Sequence, residues 1–286
     1  METLIFIDTN IFLDFYRDRG RDGITQLLGH VNANHDKIIT GDQVEMEYKK
    51  NRQSVIQQAA KQVKEPDWSC AKIPPIMQDA KITRGLERAK KAARQSISRI
   101  NRKLDQVLRN PDRHDEIYKL AHRLFDNKND LNLSRDKKIR IEIRELAQKR
   151  CMLGYPPRKA TDTSIGDAIN WEWIIKCCQT RKANVVIVSR DSDYGITSPT
   201  PIINDWLKEE FKDRTTRKRN VTLTDRLTVA LKMADIKVSK SEESDEEQLL
   251  NSLRDLHRQI IASNALSSGG PAVAPSPPTP NDGTPN

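Results

Sequence analysis

Two short runs of apolar residues along the chain each end in acidic residues. The first run, Leu4-Ile5-Phe6-Ile7, leads directly into Asp8. The second run, Val185-Val186-Ile187-Val188, is followed by Ser-Arg-Asp-Ser-Asp, which contains Asp191 and Asp193. A continuous apolar run rich in β-branched residues is typical of a strand that is buried on both faces in a parallel sheet. The pattern therefore predicts two central strands with acids at their carboxyl ends.

Between and after these strands, the spacing of apolar residues is mostly that of helices. From about residue 52 to residue 150 the predicted helices are long and strongly charged, with narrow apolar stripes. The other predicted elements are a strand at 38–40, a helix from about 44, a buried helix from about 165, a strand at 200–204, and helices at 205–211 and 222–233. Alternating strands and helices indicate an α/β fold with a central parallel sheet.

Composition divides the chain into a domain and a tail. The α/β domain is predicted to cover residues 1–238, interrupted by a large α-helical insertion at about 52–150. Residues 239–286 are predicted to be helical and then disordered, because their Pro- and Ser-rich end cannot build an apolar core.

Asp8 and Asp167 each have a structural and a functional interpretation. Asp8 could cap a helix that begins just after it, or it could lie in the ligand crevice that open α/β sheets form at the carboxyl ends of their strands. Asp167 lies one turn into the predicted buried helix, where three residues already offer capping groups, namely Asp162, Thr163 and Ser164. The surplus of caps favours a functional role for Asp167.

If the two central strands are neighbours, their acids face one crevice together with acids at the heads of two helices. The acids concerned are Asp8, Asp191, Asp193, Glu47 and Asp167. Clustered carboxylates repel each other and cannot all stay ionised without cations. Mg²⁺ or Mn²⁺ ions, which take oxygen ligands, would resolve this repulsion, and two such ions could hydrolyse a phosphodiester. The pattern predicts a metal-dependent site for phosphodiester cleavage.

The charge of the chain points to an anionic partner. The net charge is +9 and the sequence pI is near 9.3, which favours nucleic acid over a membrane surface. Lys and Arg are concentrated in residues 81–113, where they outnumber acids. The residues that we expect to contact nucleic acid are Lys90, Lys91, Arg94, Arg99, Arg102, Lys103, Arg158, Lys159 and Arg190.

The absence of a targeting pattern and the spacing of the cysteines predict a cytoplasmic protein with no membrane partner. The chain has no signal-peptide pattern and no window near the roughly 20 apolar residues that a membrane span requires. The four cysteines lack C-x-x-C spacing, so we expect reduced thiols and no zinc site.

The order of these motifs resembles that of PIN-like nuclease domains, especially the bacterial branch with a Gly-Asp-x-x-x-Trp helix and a long helical insertion. The matching motifs are strand-Asp-Thr-Asn at Asp8, a glutamate at the head of the next helical part, Gly-Asp at Asp167, and strand-Ser-Arg-Asp-x-Asp at Asp191. The resemblance covers about residues 1–50 and 155–236. It implies a three-layer PIN-like fold and a metal-dependent endoribonuclease that leaves 5′-phosphate and 3′-hydroxyl ends. Many members are toxins of toxin-antitoxin pairs.

The resemblance also implies roles for individual residues. The catalytic acids are Asp8, Glu47, Asp167 and Asp191, the metal ligands are Asp8, Asp167, Asp191 and Asp193, and the supporting residues are Thr9 and Asn10. Glu45 stays an alternative to Glu47, because 120 residues (167 − 47) separate Glu47 from Asp167. The inserted helices are either a platform for the substrate, with RNA favoured over DNA, or the site of a protein inhibitor or effector.

Two other classes of protein share part of this pattern. A haloacid-dehalogenase-like phosphatase also begins with a strand that ends in Asp, but it needs a second Asp two residues later, where this chain has Asn10. A non-catalytic nucleic-acid-binding module would explain the basic helices and leave the separately placed acids without a purpose. A metal-dependent nuclease accounts for both features.

Overall fold

The computed structural model describes residues 1–17, 22–61, 63, 67–68, 75–77, 81–157 and 164–267. The chain forms two compact units, Met1–Glu246 and Glu247–Asn286. The first unit contains both predicted central strands and every acid of the predicted site. In the second unit, the described residues continue a helix that begins at Lys240 and ends at Ser267. The predicted division into a domain at 1–238 and a tail at 239–286 stays a prediction.

A five-stranded parallel sheet is the centre of the first unit. Its strands are β1 (Thr3–Ile7), β2 (Ile38–Gly41), β3 (Asn132–Leu133), β4 (Asn184–Val188) and β7 (Val221–Thr224). They lie in the order β3-β2-β1-β4-β7. The strands β5 (Gly195–Ile196) and β6 (Ile202–Ile203) form a separate antiparallel pair. The apolar residues of β1 and β4 are at most 1% exposed. The predicted α/β fold with a central parallel sheet is confirmed.

Helices account for most of the remaining described residues, and those of the first unit flank the sheet. They are α1 (Thr9–Asp14), α2 (Asp22–Ala33), α3 (Asp42–Lys61), α4 (Lys81–Arg109), α5 (Pro111–His114), α6 (Glu116–Phe125), α7 (Ile139–Met152), α8 (Gly166–Arg181), α9 (Asp205–Arg214), α10 (Leu227–Met233) and α11 (Lys240–Ser267). Among the described residues, no helix is both long enough and apolar enough to cross a membrane.

The register of β1 and β4 brings the two predicted acidic strand ends together. Ile7 pairs with Val188, so that the residues after each strand leave the sheet at the same edge. The backbone amide of Asp8 donates to the carbonyl of Val188 over 3.0 Å, and the amide of Ser189 donates to the carbonyl of Thr224 over 3.0 Å. The loops that follow these strands therefore start side by side.

The prediction of one helix over residues 222–233 is wrong at its start. Val221–Thr224 forms the edge strand β7, and helix α10 begins only at Leu227. The segment Val-Thr-Leu-Thr is rich in β-branched residues, which favour strands, and it pairs with β4 over four residues. The predicted strand at 200–204 shortens to β6.

The charged region at 52–150 contains elements of the sheet as well as helices. Strand β3 pairs with β2, and α6 packs against α2 and buries Ala121, Leu124 and Phe125. In contrast, no side chain that is described in α4 is buried. The basic helix α4 is therefore largely exposed to solvent.

The carboxyl end of α4 is anchored by a buried arginine of α3. The guanidinium of Arg52 donates to the carboxylate of Asp115 over 2.9 Å and to the carbonyl of Val107 over 2.8 Å. The hydroxyl of Tyr16 donates to the same carboxylate over 2.8 Å. Because both charges are paired and hydrogen-bonded, this buried ion pair is compatible with a stable fold.

Candidate active site

Asp8 is buried at the carboxyl end of β1 and is the N-cap of α1. Its Oδ1 accepts a hydrogen bond from the backbone amide of Thr9 over 2.6 Å. Its Oδ2 accepts from the side-chain amide of Asn10 over 2.8 Å and from the hydroxyl of Ser189 over 2.6 Å. Asp8 therefore caps a helix and also occupies the crevice at the edge of the sheet, so its two interpretations are compatible.

Ser189 links the loop after β1 to the loop after β4. Its Oγ donates to Asp8 and accepts from the backbone amide of Asp191 over 3.1 Å. Asn10 makes a parallel connection, because its Oδ1 accepts from the backbone amide of Arg190 over 3.3 Å. Ser189 is 0% exposed, and its hydrogen bond to Asp8 is buried. The two loops are held in one fixed arrangement.

Glu47 joins this site from the first turns of α3. Its Oε2 accepts from the hydroxyl of Thr9 over 3.0 Å, and its Oε1 accepts from the side-chain amide of Gln43 over 2.6 Å. Glu45, the alternative, lies two residues earlier on the same helix and therefore on nearly the opposite face. Its carboxylate pairs instead with Lys49 over 2.6 Å. Of the two glutamates, the structure brings Glu47 next to the Asp8 loop.

Helix α8 approaches Glu47 through a glycine. A Cβ atom on Gly166 would lie 2.3 Å from Glu47 Oε1 and 2.7 Å from Gln43 Nε2, which no real contact allows. Only glycine lets the head of α8, with Asp167 in its first turn, come this close to the glutamate. Among the proposed capping residues, Ser164 accepts from the Gly166 amide over 3.3 Å, whereas Asp162 and Thr163 lie outside the described residues.

Tryptophans fix the position of α8 against the rest of the domain. The indole of Trp173 donates to the carbonyls of Thr40 and Leu131, over 2.9 Å and 3.1 Å. The indole of Trp171 donates to the carboxylate of Glu210 over 3.0 Å. Both rings are buried, so the helix that carries Asp167 is rigidly attached.

The electrostatics of Asp8 show that the acids converge. Burial raises the pKa of Asp8 to about 7, and the hydrogen bonds from Ser189 and Thr9 oppose that shift only in part. The nearby carboxylates of Glu47 and Asp191 raise the pKa further. A carboxyl group with this pKa is poised to exchange its proton for a cation near neutral pH.

The electrostatics of Tyr194 also indicate that these acids lie close together. Its pKa is raised well above the ordinary value, first by burial and then by the surrounding carboxylates. Those carboxylates are Asp167, Asp8, Glu47 and Asp193. Together with the neighbours of Asp8, this set contains every acid that the sequence placed in the site.

A comparison with protein-family models identifies the domain. The model described as the PIN domain matches residues 5–194, about two thirds of the chain. The chain belongs to the PIN domain family. PIN domains are generally metal-dependent nucleases. No curated protein and no solved structure matches the chain.

The groups that converge in this PIN domain suit a hard divalent cation. They include several carboxylates, the oxygen donors that Mg²⁺ and Mn²⁺ prefer. The raised pKa of Asp8 shows that its charged form lacks sufficient compensation from the protein alone. In the described part of the chain, no three of the acids around Asp8 have ligand atoms that all lie within 4.8 Å of one another, and the group that meets this spacing is Glu45, His122 and Asp126. It lies on the side of α3 that faces away from Glu47.

The basic residues that were predicted to contact nucleic acid fall into three groups. Lys91, Arg94, Arg99, Arg102 and Lys103 are exposed on α4 of the PIN domain, and Lys90 is half-buried and pairs with Glu87. Arg158 and Lys159 lie outside the described residues.

Arg190 differs from both groups because its guanidinium binds within the domain. It pairs with Asp14 over 2.6 Å, donates to the carbonyl of Asp225 over 3.1 Å, and contacts Glu246 over 3.4 Å. These bonds support the loop that carries Asp191. The structure thus gives the Arg190 guanidinium acceptors within the domain, and its predicted contact with nucleic acid stays a prediction.

Three polar side chains of this site were missing from the sequence-based set: Ser189, Gln43 and Tyr194. Ser189 follows a predicted strand directly, so its position at the sheet edge was a usable signal. Gln43 lies one helical turn before Glu47, which would have predicted their contact once Glu47 was chosen. Tyr194 follows Asp193 in a segment with no regular pattern, and no sequence signal pointed to it.

Proposed function

We propose that this PIN domain is a metal-dependent endonuclease that hydrolyses RNA, leaving 5′-phosphate and 3′-hydroxyl ends. The observation that carries the proposal is the buried carboxylate of Asp8, which shares its surroundings with Glu47 and Asp191 and has a pKa of about 7. Carboxylates clustered in this way repel each other when they are ionised, and a bound divalent cation compensates their charge.

The proposal gives each acid a role. Asp8, Asp167, Asp191 and Asp193 would hold Mg²⁺ or Mn²⁺, with two ions as the favoured number. When bound, such ions activate water and stabilise charge on the leaving oxygen. Glu47, held by Thr9 and Gln43, orients the attacking water by accepting its hydrogen bond. Asn10 and Ser189 keep the loops of Asp8 and Asp191 in register.

The basic helix α4 supports a nucleic-acid substrate. It contains ten Lys or Arg residues against two acids, a net charge of +8, whereas the whole chain carries +9. Almost all of the net charge is therefore concentrated on one exposed helix, which suits contact with a phosphate backbone. The preference for RNA over DNA rests on the family resemblance.

The wider role belongs to the same proposal. We propose a toxin or defence effector that acts in the cytoplasm, with a protein inhibitor or effector binding the inserted helices. The described cysteines Cys151, Cys177 and Cys178 are free, which agrees with a reducing compartment.

A cleavage assay tests the proposed activity. Labelled single-stranded RNA, structured RNA and DNA are incubated with Mg²⁺, Mn²⁺ or EDTA, using wild type, Asp8→Asn and the exposed control Asp213→Asn. We expect metal-dependent cleavage of RNA by wild type and Asp213→Asn, and loss of at least about a hundredfold in Asp8→Asn, because one cation ligand loses its charge. Binding of RNA without cleavage under every metal would instead identify a non-catalytic binding module.

A further inference from the structure

Tyr194 has a buried hydroxyl group with no hydrogen-bond partner among the described residues. The residue is 0% exposed, and its ring packs edge-on against Phe6 of β1 with 6.1 Å between the ring centroids. The other fully buried tyrosine of the domain, Tyr48, differs in this respect. Its hydroxyl forms a 2.6 Å hydrogen bond with the hydroxyl of Tyr16.

The backbone of Tyr194 cannot readily move to find a partner for the hydroxyl. Its carbonyl accepts from the amide of Asn204 over 2.9 Å, and the next residue, Gly195, pairs with Ile203 in the β5–β6 ribbon. Gly195 has a φ of +150°, and a Cβ atom there would lie 2.2 Å from the carbonyl oxygen of Ile202. The close approach of the two strands requires glycine and holds the tyrosine in place.

An unpaired hydroxyl in the protein interior is unfavourable, and native proteins pair nearly all such groups with protein, water or an ion. Here the hydroxyl belongs to the residue directly after Asp193, and its ring packs against Phe6, two residues before Asp8. The carboxylates of Asp167, Asp8, Glu47 and Asp193 are near enough to raise the pKa of this hydroxyl. The unpaired hydroxyl of Tyr194 at this position is explained if a hydrogen-bond partner for it enters the site together with the ligand.

We propose that Tyr194 is a positioning residue of the cation site, and that its Oη donates a hydrogen bond to a water molecule held with the cation between the carboxylates. This inference rests on the proposed function, because it requires a divalent cation at Asp8. Mg²⁺ and Mn²⁺ retain several water ligands, so a fixed donor beside the site would orient one of them. The phenol keeps its proton and takes no part in the bond-making step.

Two tyrosine variants test the inference, because each removes one hydroxyl and keeps the ring. For Tyr194→Phe we expect the melting temperature of the metal-free protein to rise by about 2 to 4 °C, since an unpaired polar group is removed. We also expect its Kd for Mn²⁺, measured by calorimetry, to weaken about tenfold. For the control Tyr48→Phe we expect a lower melting temperature and an unchanged Kd, because that hydroxyl is paired within the protein.

The outcomes separate this inference from the proposed function. If wild type binds Mn²⁺ and Tyr194→Phe binds it equally well, the inference is wrong and the proposed cation site stands. A lower melting temperature of metal-free Tyr194→Phe would also overturn the inference, because it would show that the hydroxyl already has a partner. If wild type binds no Mn²⁺ and behaves like Asp8→Asn, the proposed function itself fails and the inference fails with it.

Discussion

The substitution Gly166→Ala tests whether the close contact between α8 and Glu47 matters for activity. The added Cβ would lie 2.3 Å from Glu47 Oε1, whereas ordinary contacts begin at 3.4 Å. The carboxylate must therefore move by about 1.1 Å (3.4 − 2.3) or swing away. Since Glu47 Oε1 and Gln43 Nε2 are the ends of flexible side chains, this movement is possible without unfolding α8.

The expected effect is large on catalysis and small on stability. A misplacement of about 1 Å in a catalytic group can lower the rate on the order of a hundredfold. For stability, alanine is better than glycine in a helix by up to about 1 kcal/mol, although the gain is smaller in the first turn. Loss of one hydrogen bond to Glu47 costs about 1 kcal/mol, so the two effects nearly cancel.

The assay compares kcat/KM for RNA cleavage and the melting temperature of Gly166→Ala with those of Gly29→Ala. No atom lies within 4 Å of a Cβ on Gly29, so this control adds a methyl group to a helix without a clash. We expect wild-type activity in Gly29→Ala and a drop of about a hundredfold in Gly166→Ala. Wild-type kcat/KM in Gly166→Ala would refute the reasoning, because Glu47 would then have moved without consequence.

Four further predictions concern the charges in and around the site. Because the pKa of Asp8 is raised from 3.8 to about 7, the Kd for Mn²⁺ should weaken about tenfold per pH unit below pH 7. For the same reason the unfolding free energy of the metal-free protein should fall by up to about 4 kcal/mol as the pH rises from roughly 4 to roughly 7, because the folded state keeps this proton to a higher pH than the unfolded state. Arg190→Met should destabilise the domain by about 1 to 3 kcal/mol in urea unfolding, because Asp14 would keep only Arg17 as an ion-pair partner and Glu246 would keep only its hydrogen bonds from Leu227 and Thr228. Replacing Lys91, Arg99 and Arg102 by Gln should weaken RNA binding and flatten the slope of log K against log salt by about 0.7 per charge removed.

Each of these predictions has an outcome that contradicts it, and for the metal-free protein it is an unfolding free energy that does not fall between roughly pH 4 and pH 7. A Kd for Mn²⁺ that stays constant from about pH 5.5 to pH 8 would show that no proton leaves the site on binding. If Arg190→Met kept full stability and raised only KM, the arginine would be a phosphate contact after all. Unchanged RNA affinity in the triple Gln variant would move the substrate surface away from α4.

The central strands could be predicted from the sequence, and the edge strands could not. β1 and β4 are buried on both faces, so apolar residues fill every position and leave a clear pattern. β7 and β3 are short, and β3 has only two residues. Whether these two segments form strands depends on their pairing with β4 and β2, which lie far away in the chain. A local sequence pattern does not contain this information.

The acids of the candidate site could be predicted by position, but the tertiary contacts that select among them could not. Asp8 and Asp191 follow recognisable strands, and the parallel arrangement brings them together. The choice between Glu45 and Glu47 depends on which face of α3 meets the sheet, and this is decided by tertiary packing. The acceptors of Arg190, Asp14 and Glu246, are 176 and 56 residues away in the sequence, so no local pattern indicated them.

The most direct test of the account is the position of Mn²⁺ in a crystal of the protein, located by its anomalous scattering. We predict a peak bonded to the carboxylate of Asp8, at about 2.0 to 2.2 Å, with further ligands among Asp167 and Asp191. A peak only at the other potential cluster, Glu45, His122 and Asp126, would contradict the account, as would the absence of Mn²⁺ from both positions.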